Sequence, residues 1–274
     1  MDLQIALLLG QDGIINGAIY GLMALALVLV FSVTRVIFVP QGDFVAFAAL
    51  SMAALSAGKT PAVIWLLGAL ALATLVSETI RWRRGAPVEW VATLAWTVVV
   101  PGAAIAAALA KPSSVVLQAA TTLALVVPLG PLIYRLAFRP LAHATVLMLL
   151  IVSVALHGVM VGLGLFFFGA EGSRTPAFSE ARLDLAGLPV SGQSLVVIGV
   201  TIVLVVALFV FFERTIIGKA LRATAINRVG ARLMGIPIEL SGDVSFALAA
   251  LIGAISGLLI GPITTIYYDT GFLV

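Results

Sequence analysis

The chain has 274 residues, of which 62% are apolar and only 10% are charged, and its mean hydropathy is +1.22. A water-soluble domain of this length carries about a quarter charged residues. So few charged side chains would not cover the surface of a soluble globule, and the composition therefore predicts an all-α or all-β protein embedded in lipid. The absence of cysteine excludes disulfides and thiolate metal sites.

The apolar residues form about eight stretches, most of them close to the roughly 20 residues that a helix needs to cross a bilayer. The stretches are continuously apolar, whereas the strands of a membrane barrel alternate, so we predict an all-α polytopic bundle. The second and third stretches are short, and each is expected to be tilted, broken or re-entrant. In chain order the predicted spans are Ile14–Val33, Gly42–Ala57, Ala62–Ser77, Val91–Ala110, Val115–Tyr134, Val146–Phe168, Ser194–Phe212 and Val244–Pro262.

Positive charge is unevenly distributed between alternate loops. With the N-terminus outside, the inside loops hold eleven Lys and Arg residues and the outside loops hold four. This is the positive-inside bias of a membrane bundle, and it explains the net charge of +3 without nucleic acid as a partner. The inside set is Arg35, Arg81, Arg83, Arg84, Arg135, Arg139, Arg214, Lys219, Arg222, Arg228 and Arg232, and the outside set is Lys59, Lys111, Arg174 and Arg182.

Two connecting loops are long. The outside loop, Gly169–Gln193, is rich in glycine and proline, which favours turns over a long helix. The inside loop, 213–242, has no proline between Gly218 and Gly235 and begins with good helix formers. Gly235 and the proline at 237 supply a stop. We therefore predict a cytoplasmic helix between Gly218 and Gly235, held between two spans.

Glycines recur four residues apart in the first and the last predicted span. Glycines at this spacing share one helix face and let another helix approach closely in lipid, so they indicate helix packing rather than chemistry. The two triplets are Gly13, Gly17 and Gly21, and Gly253, Gly257 and Gly261.

Polar side chains inside the spans form two pairs, each on one helix face. Asn16 and Tyr20 are four apart in the first span, and Ser153 and His157 are four apart in the sixth. Because polar groups in lipid are costly, they face a partner helix or a cavity. These four residues either hydrogen-bond between helices or line a translocation path, and the sequence does not separate the two.

The second span opens with Gln41-Gly42-Asp43-Phe44. An aspartate beside a glycine at a helix start fits an N-terminal cap, and a contact with substrate is the other interpretation. The acidic residues Glu78 and Asp243 sit at the ends of predicted spans, so no acidic residue is expected at the centre of a span.

Nucleotide, metal and catalytic sites are poorly supported. Residues 53–60 fit a relaxed phosphate-loop pattern, but an apolar span precedes them and Pro61 follows, so we expect this chain to bind no ATP. His143 and His157 have no neighbour at metal-ligand spacing, and the serines of the spans have no evident base. We expect no enzymatic activity and no bound cofactor.

Several segments resemble the permeases of branched-chain amino acid ABC transporters. Gly218-Lys-Ala-Leu-Arg-Ala-Thr-Ala, followed by Ala231-Arg-Leu-Met-Gly-Ile, is similar to the cytoplasmic coupling segment of that family. Asn16-Gly-Ala-Ile-Tyr-Gly-Leu and Gln41-Gly-Asp-Phe resemble its opening, and Gly261-Pro-Ile with residues 267–271 resembles its closing outside loop.

The likeness covers residues 1–58 and 132–274 and departs from the family in three places. Pro40-Gln41 stands where Ala-His is common, and Arg81–Lys111 looks like an added hairpin. Family members usually continue for two further spans. We therefore expect residues 1–274 to be a single permease domain that lacks those spans or has them elsewhere.

The resemblance implies a subunit of an importer that works by alternating access in the bacterial inner membrane. Its partners would be a second permease, identical or homologous, two cytoplasmic ATPases that use the ATP, and a periplasmic or lipid-anchored binding protein. Substrates would be branched-chain amino acids or related small amino acids and amides. The residues assigned to the ATPase contact are Gly218, Leu221, Arg222, Ala223, Thr224, Arg228, Ala231, Met234 and Gly235.

A proton- or ion-coupled secondary transporter is the alternative from another class. It is disfavoured because the sequence predicts no acidic residue at the centre of a span to carry a coupling proton. An intramembrane enzyme would need a catalytic pair that the sequence does not supply.

Overall fold

In the computed structural model the chain is a bundle of helices, described over residues 3–85, 88–142, 144–185 and 188–272. Seven helices in these ranges are long and apolar enough to cross a membrane, which confirms the all-α membrane class. In chain order the helices are α1 (Leu3–Thr34), α2 (Gln41–Ser56), α3 (Val63–Arg83), α4 (Trp90–Leu109), α5 (Val115–Leu141), α6 (Val146–Phe168), α7 (Gly192–Arg214), α8 (Ile216–Ile226), α9 (Arg228–Leu233) and α10 (Ile238–Ile260).

The outside loop before α7 contains a two-stranded antiparallel hairpin. Its strands are β1 (Arg182–Leu185) and β2 (Leu188–Ser191). Ser173, at the start of this loop, exchanges two backbone hydrogen bonds of 2.9 Å with Ile266, beyond the end of α10. The loop is therefore tied to the segment that follows the last span, and it contains turns and strands instead of a long helix.

Seven of the eight predicted spans correspond to the long helices, and the second does not. Its helix, α2, has only 16 residues, yet it is buried on all sides over most of its length. The third predicted span is longer than the sequence indicated, because α3 continues to Arg83. The number of spans and the orientation of the N-terminus stay predictions.

Helix α10 lies at the centre of the bundle and packs against α1 and α2. Glycine permits this approach: a Cβ added at Gly257 would lie 2.3 Å from the carbonyl oxygen of Val45, and one at Gly253 would lie 2.9 Å from Cβ of Phe44. A Cβ added at Gly261, just past α10, would lie 2.6 Å from Oγ1 of Thr175. Helices α6 and α7 lie at the periphery and expose most of their side chains.

The first glycine triplet differs from the second. A Cβ built on Gly13, Gly17 or Gly21 meets no atom of the described chain within 4 Å. The expected close packing is therefore not made within the described part of this chain, and a contact with a second subunit stays a prediction.

The predicted cytoplasmic helix is two helices, α8 and α9. The break lies at Asn227, whose side chain accepts a hydrogen bond of 2.9 Å from the backbone N–H of Gly230 and so caps α9. Asparagine is a strong N-cap residue, which explains why a new helix begins here. Gly235, with φ of 81°, then turns the chain out of α9 in a left-handed conformation that glycine adopts freely. We call the membrane side that carries α8 and α9 the coupling face.

Candidate functional site

Helix α2 begins at half the depth of the bundle. The side-chain amide of Gln41, its first residue, donates a hydrogen bond of 2.9 Å to the carbonyl oxygen of Ala249, the central residue of α10. Asp43 lies beside His157, the central residue of α6. Because both neighbours lie midway along helices long enough to cross a membrane, the N-terminus of α2 lies midway between the two faces of the bundle.

The six residues before α2 enter the bundle without regular structure. A side chain from another helix satisfies part of their backbone. The N–H of Val39 donates a hydrogen bond of 2.8 Å to Oγ of Ser153, which is fully buried on α6. The buried ring of Phe38 packs edge-on against Phe246, with 4.8 Å between ring centroids. Irregular backbone is tolerated at membrane depth only where protein surrounds it and satisfies its polar groups. Here the hydroxyl of Ser153 is the hydrogen-bond partner of the Val39 N–H.

Asp43 and His157 form the central contact of the site. His157 Nδ1 lies 2.9 and 3.0 Å from the two carboxylate oxygens of Asp43, and the side chains are 16% and 2% exposed. Of the two interpretations of Asp43, the cap is not made, because Pro40 occupies the cap position and the carboxylate is directed to His157, and a contact with substrate stays a prediction. Asp43 still lies in the first turn of α2, where the positive end of the helix dipole stabilises its charge.

The chain after α10 returns to this site. Gly271 lies against Gly42 so closely that a Cβ added at Gly42 would come 1.7 Å from the carbonyl oxygen of Gly271. Nearer the opposite face, Tyr268 contacts Gly164 of α6. The expectation that residues 267–271 form an outside loop is therefore corrected, because this segment runs from Ile266, which is bonded to Ser173, inward to Gly42.

The structure brings four of the six predicted path residues together. Gln41, Asp43, Ser153 and His157 surround the start of α2, and we call them the half-depth cluster. Among the described residues, Oε1 of Gln41 is buried without a hydrogen-bond partner. Asn16 and Tyr20 are not part of this cluster. Both are exposed on α1, three residues after Gly13 and Gly17 of the first glycine triplet. Their place on a translocation path stays a prediction.

Sequence analysis missed a buried ion pair between α5 and α10. Arg135 Nη2 lies 2.5 Å from Oδ2 of Asp243, and the two side chains are 4% and 6% exposed. Arg135 also donates a hydrogen bond of 3.3 Å to Oγ1 of Thr93 on α4. The assignment of Arg135 and Arg139 to a loop is wrong, because α5 continues to Leu141 and carries both residues four apart on one face.

A second group of charges joins three helix ends at the coupling face. Arg139 of α5 lies 2.5 Å from the carboxylate of Glu78 on α3 and also pairs with Glu239 at the start of α10. Arg81 adds a contact of 3.2 Å to Glu78. Each of these helices is thus fixed to the others where it leaves the membrane. The helical spacing of Arg135 and Arg139 was the signal in the sequence, but it did not identify their acidic partners.

The coupling segment, α8 and α9, has an inner side. Leu221 and Thr224 are 1% and 0% exposed, and Oγ1 of Thr224 lies 3.2 Å from Oγ of Ser241 on α10. Gly218 is buried against the backbone of Phe211, and Ala231 is also buried. These four residues therefore face the bundle and anchor the segment, and the ATPase contact of the coupling segment stays a prediction.

The coupling segment also has an outer side. Ile226, Leu233 and Met234 are 82 to 85% exposed, although each is large and apolar. Arg222 and Gly235 are exposed as well, while Ala223 and Arg228 are half-buried. Of these three exposed apolar residues, the sequence pattern selected Met234 but not Ile226 or Leu233.

Seven apolar helices, a buried polar cluster at half depth and a helical segment at one face define a multi-pass membrane protein. Over residues 11–274 the chain matches the family described as "branched-chain amino acid transport system / permease component", and the chain belongs to that family. It is thus a membrane component of a transport system. No curated protein and no solved structure matches it.

Proposed function

We propose that the chain is the permease subunit of an ATP-binding-cassette importer in the bacterial cytoplasmic membrane. It would translocate branched-chain amino acids, or related small amino acids and amides, by alternating access. A second permease subunit would complete the pore, two separate ATPases would dock at the coupling face, and a binding protein would deliver substrate at the opposite face. Family membership and the outer side of the coupling segment support this assignment.

The observation that carries the proposal is the exposure of Ile226, Leu233 and Met234. At the coupling face no lipid core is available to cover them, and exposed apolar groups of this kind mark contact sites for another protein. Arg222, exposed beside them and paired with Glu213 at 2.6 Å, is placed to meet acidic groups and fix orientation. A soluble ATPase would fit this surface.

Movement of the coupling segment would reach the half-depth cluster through α10. Thr224 contacts Ser241 near the start of α10, and Ala249, about two turns further along the same helix, holds Gln41. The glycines of α10 place it directly against α2. A tilt imposed on α8 by the ATPases would therefore shift the N-terminus of α2, which is the end that carries Asp43.

The half-depth cluster would hold the polar part of an amino acid. The carboxylate of Asp43 would attract an ammonium group, and the positive end of the α2 dipole would attract a carboxylate. Helices broken at the membrane midplane present their ends to substrate in other transporters as well. An apolar side chain would then be left to contact the surrounding helices.

Replacing Leu233 by Asp tests the docking surface. An unpaired charge in a close-packed contact costs several kcal/mol, so we expect the variant to insert normally but to lose the ATPase encoded beside it on co-purification. ATP-dependent uptake should be lost as well. The matched control is Arg84→Asp, which adds the same side chain at an exposed position on the same face. Normal co-purification and uptake by Leu233→Asp would overturn the docking assignment.

A proton-coupled secondary transporter remains a second candidate, favoured by one observation. The expectation that no acidic residue lies at the membrane centre is wrong, because α2 begins at half depth and carries Asp43 there beside His157. Such pairs form proton relays in pumps and transporters. Proteoliposomes that contain the chain, its partner permease and the neighbouring ATPase, supplied with the binding protein, distinguish the two functions. We expect ATP to drive uptake, whereas uptake driven by a proton gradient without ATP would establish the second candidate.

A further inference from the structure

A cavity of about 650 Å³ opens at the coupling face, and Leu233 is not among its lining residues. Its walls come from the first turn of α4, the last turns of α5, and the starts of α9 and α10. Thr93, Tyr134 and Arg135 make up its deep wall, and all three are buried. The cavity is separate from the half-depth cluster, none of whose residues line it.

The acidic and basic groups of the deep wall neutralise one another. Asp243 forms an ion pair with Arg135, and Glu239 forms an ion pair with Arg139. One polar atom of this wall is left over: Nε of Arg139 is buried without a hydrogen-bond partner among the described residues. Because this atom is inaccessible, it is not available to a ligand in the cavity, and an anion there would have to meet the outer wall.

The outer wall carries cations that have no partner in the described chain. Arg228 and Arg232 lie four apart on α9, so they share one face of the helix, and both line the cavity. Neither forms an ion pair or a side-chain hydrogen bond with a described residue, and Glu89, an exposed residue at the rim, is likewise unpaired. The two arginines and one glutamate give this part of the cavity a net positive charge, which an anionic ligand would neutralise.

We propose that this cavity binds a phosphate group, with Arg228 and Arg232 as its ligands. Guanidinium groups present several N–H donors in a planar fork that matches phosphate oxygens. A single phosphate occupies a small part of the cavity, so the group would belong to a larger molecule.

The surroundings favour the head group of an anionic lipid. The rings of Trp82 and Trp90, which flank the α3–α4 connection, pack edge-on with 5.9 Å between centroids, and Trp82 is 56% exposed. Tryptophan is enriched at the level of lipid head groups, and basic pockets between helices on the cytoplasmic side bind such head groups. Apolar residues of α9 and α10, among them Val229 and Leu240, line the rest of the cavity and suit a glycerol and the start of an acyl chain.

Lipid titration of the purified full chain tests the proposal. Native mass spectrometry would measure binding of phosphatidylglycerol and phosphatidylcholine to wild type and to the double variant Arg228→Gln/Arg232→Gln. We expect phosphatidylglycerol to bind more tightly than phosphatidylcholine. We also expect the double variant to lose roughly tenfold or more in affinity, since each arginine near an anionic surface contributes about 1 kcal/mol. The control, Arg83→Gln/Arg84→Gln, removes the same charge from the same face outside the cavity and should change affinity little.

Two further variants keep the test independent of folding defects. Arg228→Lys/Arg232→Lys retains the charge and should retain most of the binding, and Glu89→Gln removes the rim anion and should tighten it. A parallel titration with inorganic pyrophosphate identifies the source of the phosphate. Loss of pyrophosphate binding in the Arg228→Gln/Arg232→Gln variant, with no preference for phosphatidylglycerol, would support a soluble phosphate compound. Equal binding of both probes to this variant and to its control would overturn the proposal.

Discussion

Asp43 and His157 bring a carboxylate and an imidazole together midway between the two faces of the bundle. We expect His157→Leu to lower uptake of radiolabelled leucine strongly, because Asp43 would be left buried without its ring partner. Protein level and ATPase association should stay normal. The control is Val154→Leu, an exposed apolar position on the same helix.

A second variant separates a transport role of this pair from a packing role. Asp43→Leu/His157→Leu removes both polar groups, so it should recover stability without recovering uptake. If the double variant transports as wild type does, the pair serves only to hold α2 and α6 together, and the half-depth cluster is not the path.

Among the described glycines, Gly42 is the one where an added Cβ would come nearest to another atom. Gly42→Ala would force its Cβ into the carbonyl of Gly271, so we expect a lower melting temperature from a loss of about 1–3 kcal/mol, the usual cost of overpacking. Gly17→Ala is the matched control, because its Cβ meets no atom of the described chain. Equal melting temperatures for the two detergent-purified variants would contradict the close approach of residues 42 and 271.

Among the elements, long apolar helices were predictable and interrupted ones were not. The predicted span Val146–Phe168 coincides with α6, because 23 largely apolar residues with no proline leave the chain few alternatives to a helix in lipid. The half-depth start of α2 could not be predicted. It depends on Ser153 and Ala249, which lie more than 100 residues further along the chain. Local sequence carries no signal for a contact of that range.

Charged residues misled the prediction of helix ends for a related reason. Arginine ends an apolar stretch, so Arg135 was placed in a loop. The helix continues through it because Asp243 neutralises it inside the bundle. The coupling segment shows the same limit: its position followed from the sequence pattern, but the division into an inner and an outer side required the packing of α8 on α10.

The two sides of the coupling segment should respond differently to truncation. Leu221→Ala removes a buried side chain, so we expect a loss of about 2–5 kcal/mol and a clear fall in melting temperature. Leu233→Ala changes an exposed position, so stability should stay within about 0.5 kcal/mol of wild type. Thermal unfolding monitored in detergent would show the difference. The opposite order would mean that α8 and α9 present their other side to the bundle.

For the whole molecule, the charge bias predicts which face is cytoplasmic. The chain has no cysteine, so single cysteines at the exposed positions Glu180 and Lys219 report the two faces without a background. We expect a membrane-impermeant thiol reagent to label Glu180→Cys in intact cells and Lys219→Cys only after lysis. Labelling of Lys219→Cys alone in intact cells would show that the orientation is inverted.

The half-depth start of α2 also bears on how the protein is made. Synthesis proceeds from the N-terminus, so α2 leaves the ribosome well before Ser153, and Ala249 follows nearly 100 residues after that. Until both arrive, the N–H of Val39 and the amide of Gln41 lack the partners that satisfy them in the bundle, in a medium that offers no water. The N-terminal third of the chain therefore cannot settle in the lipid as a finished unit. It has to stay beside the insertion machinery, or in a shallower position, until α6 and α10 have been translated and close around it.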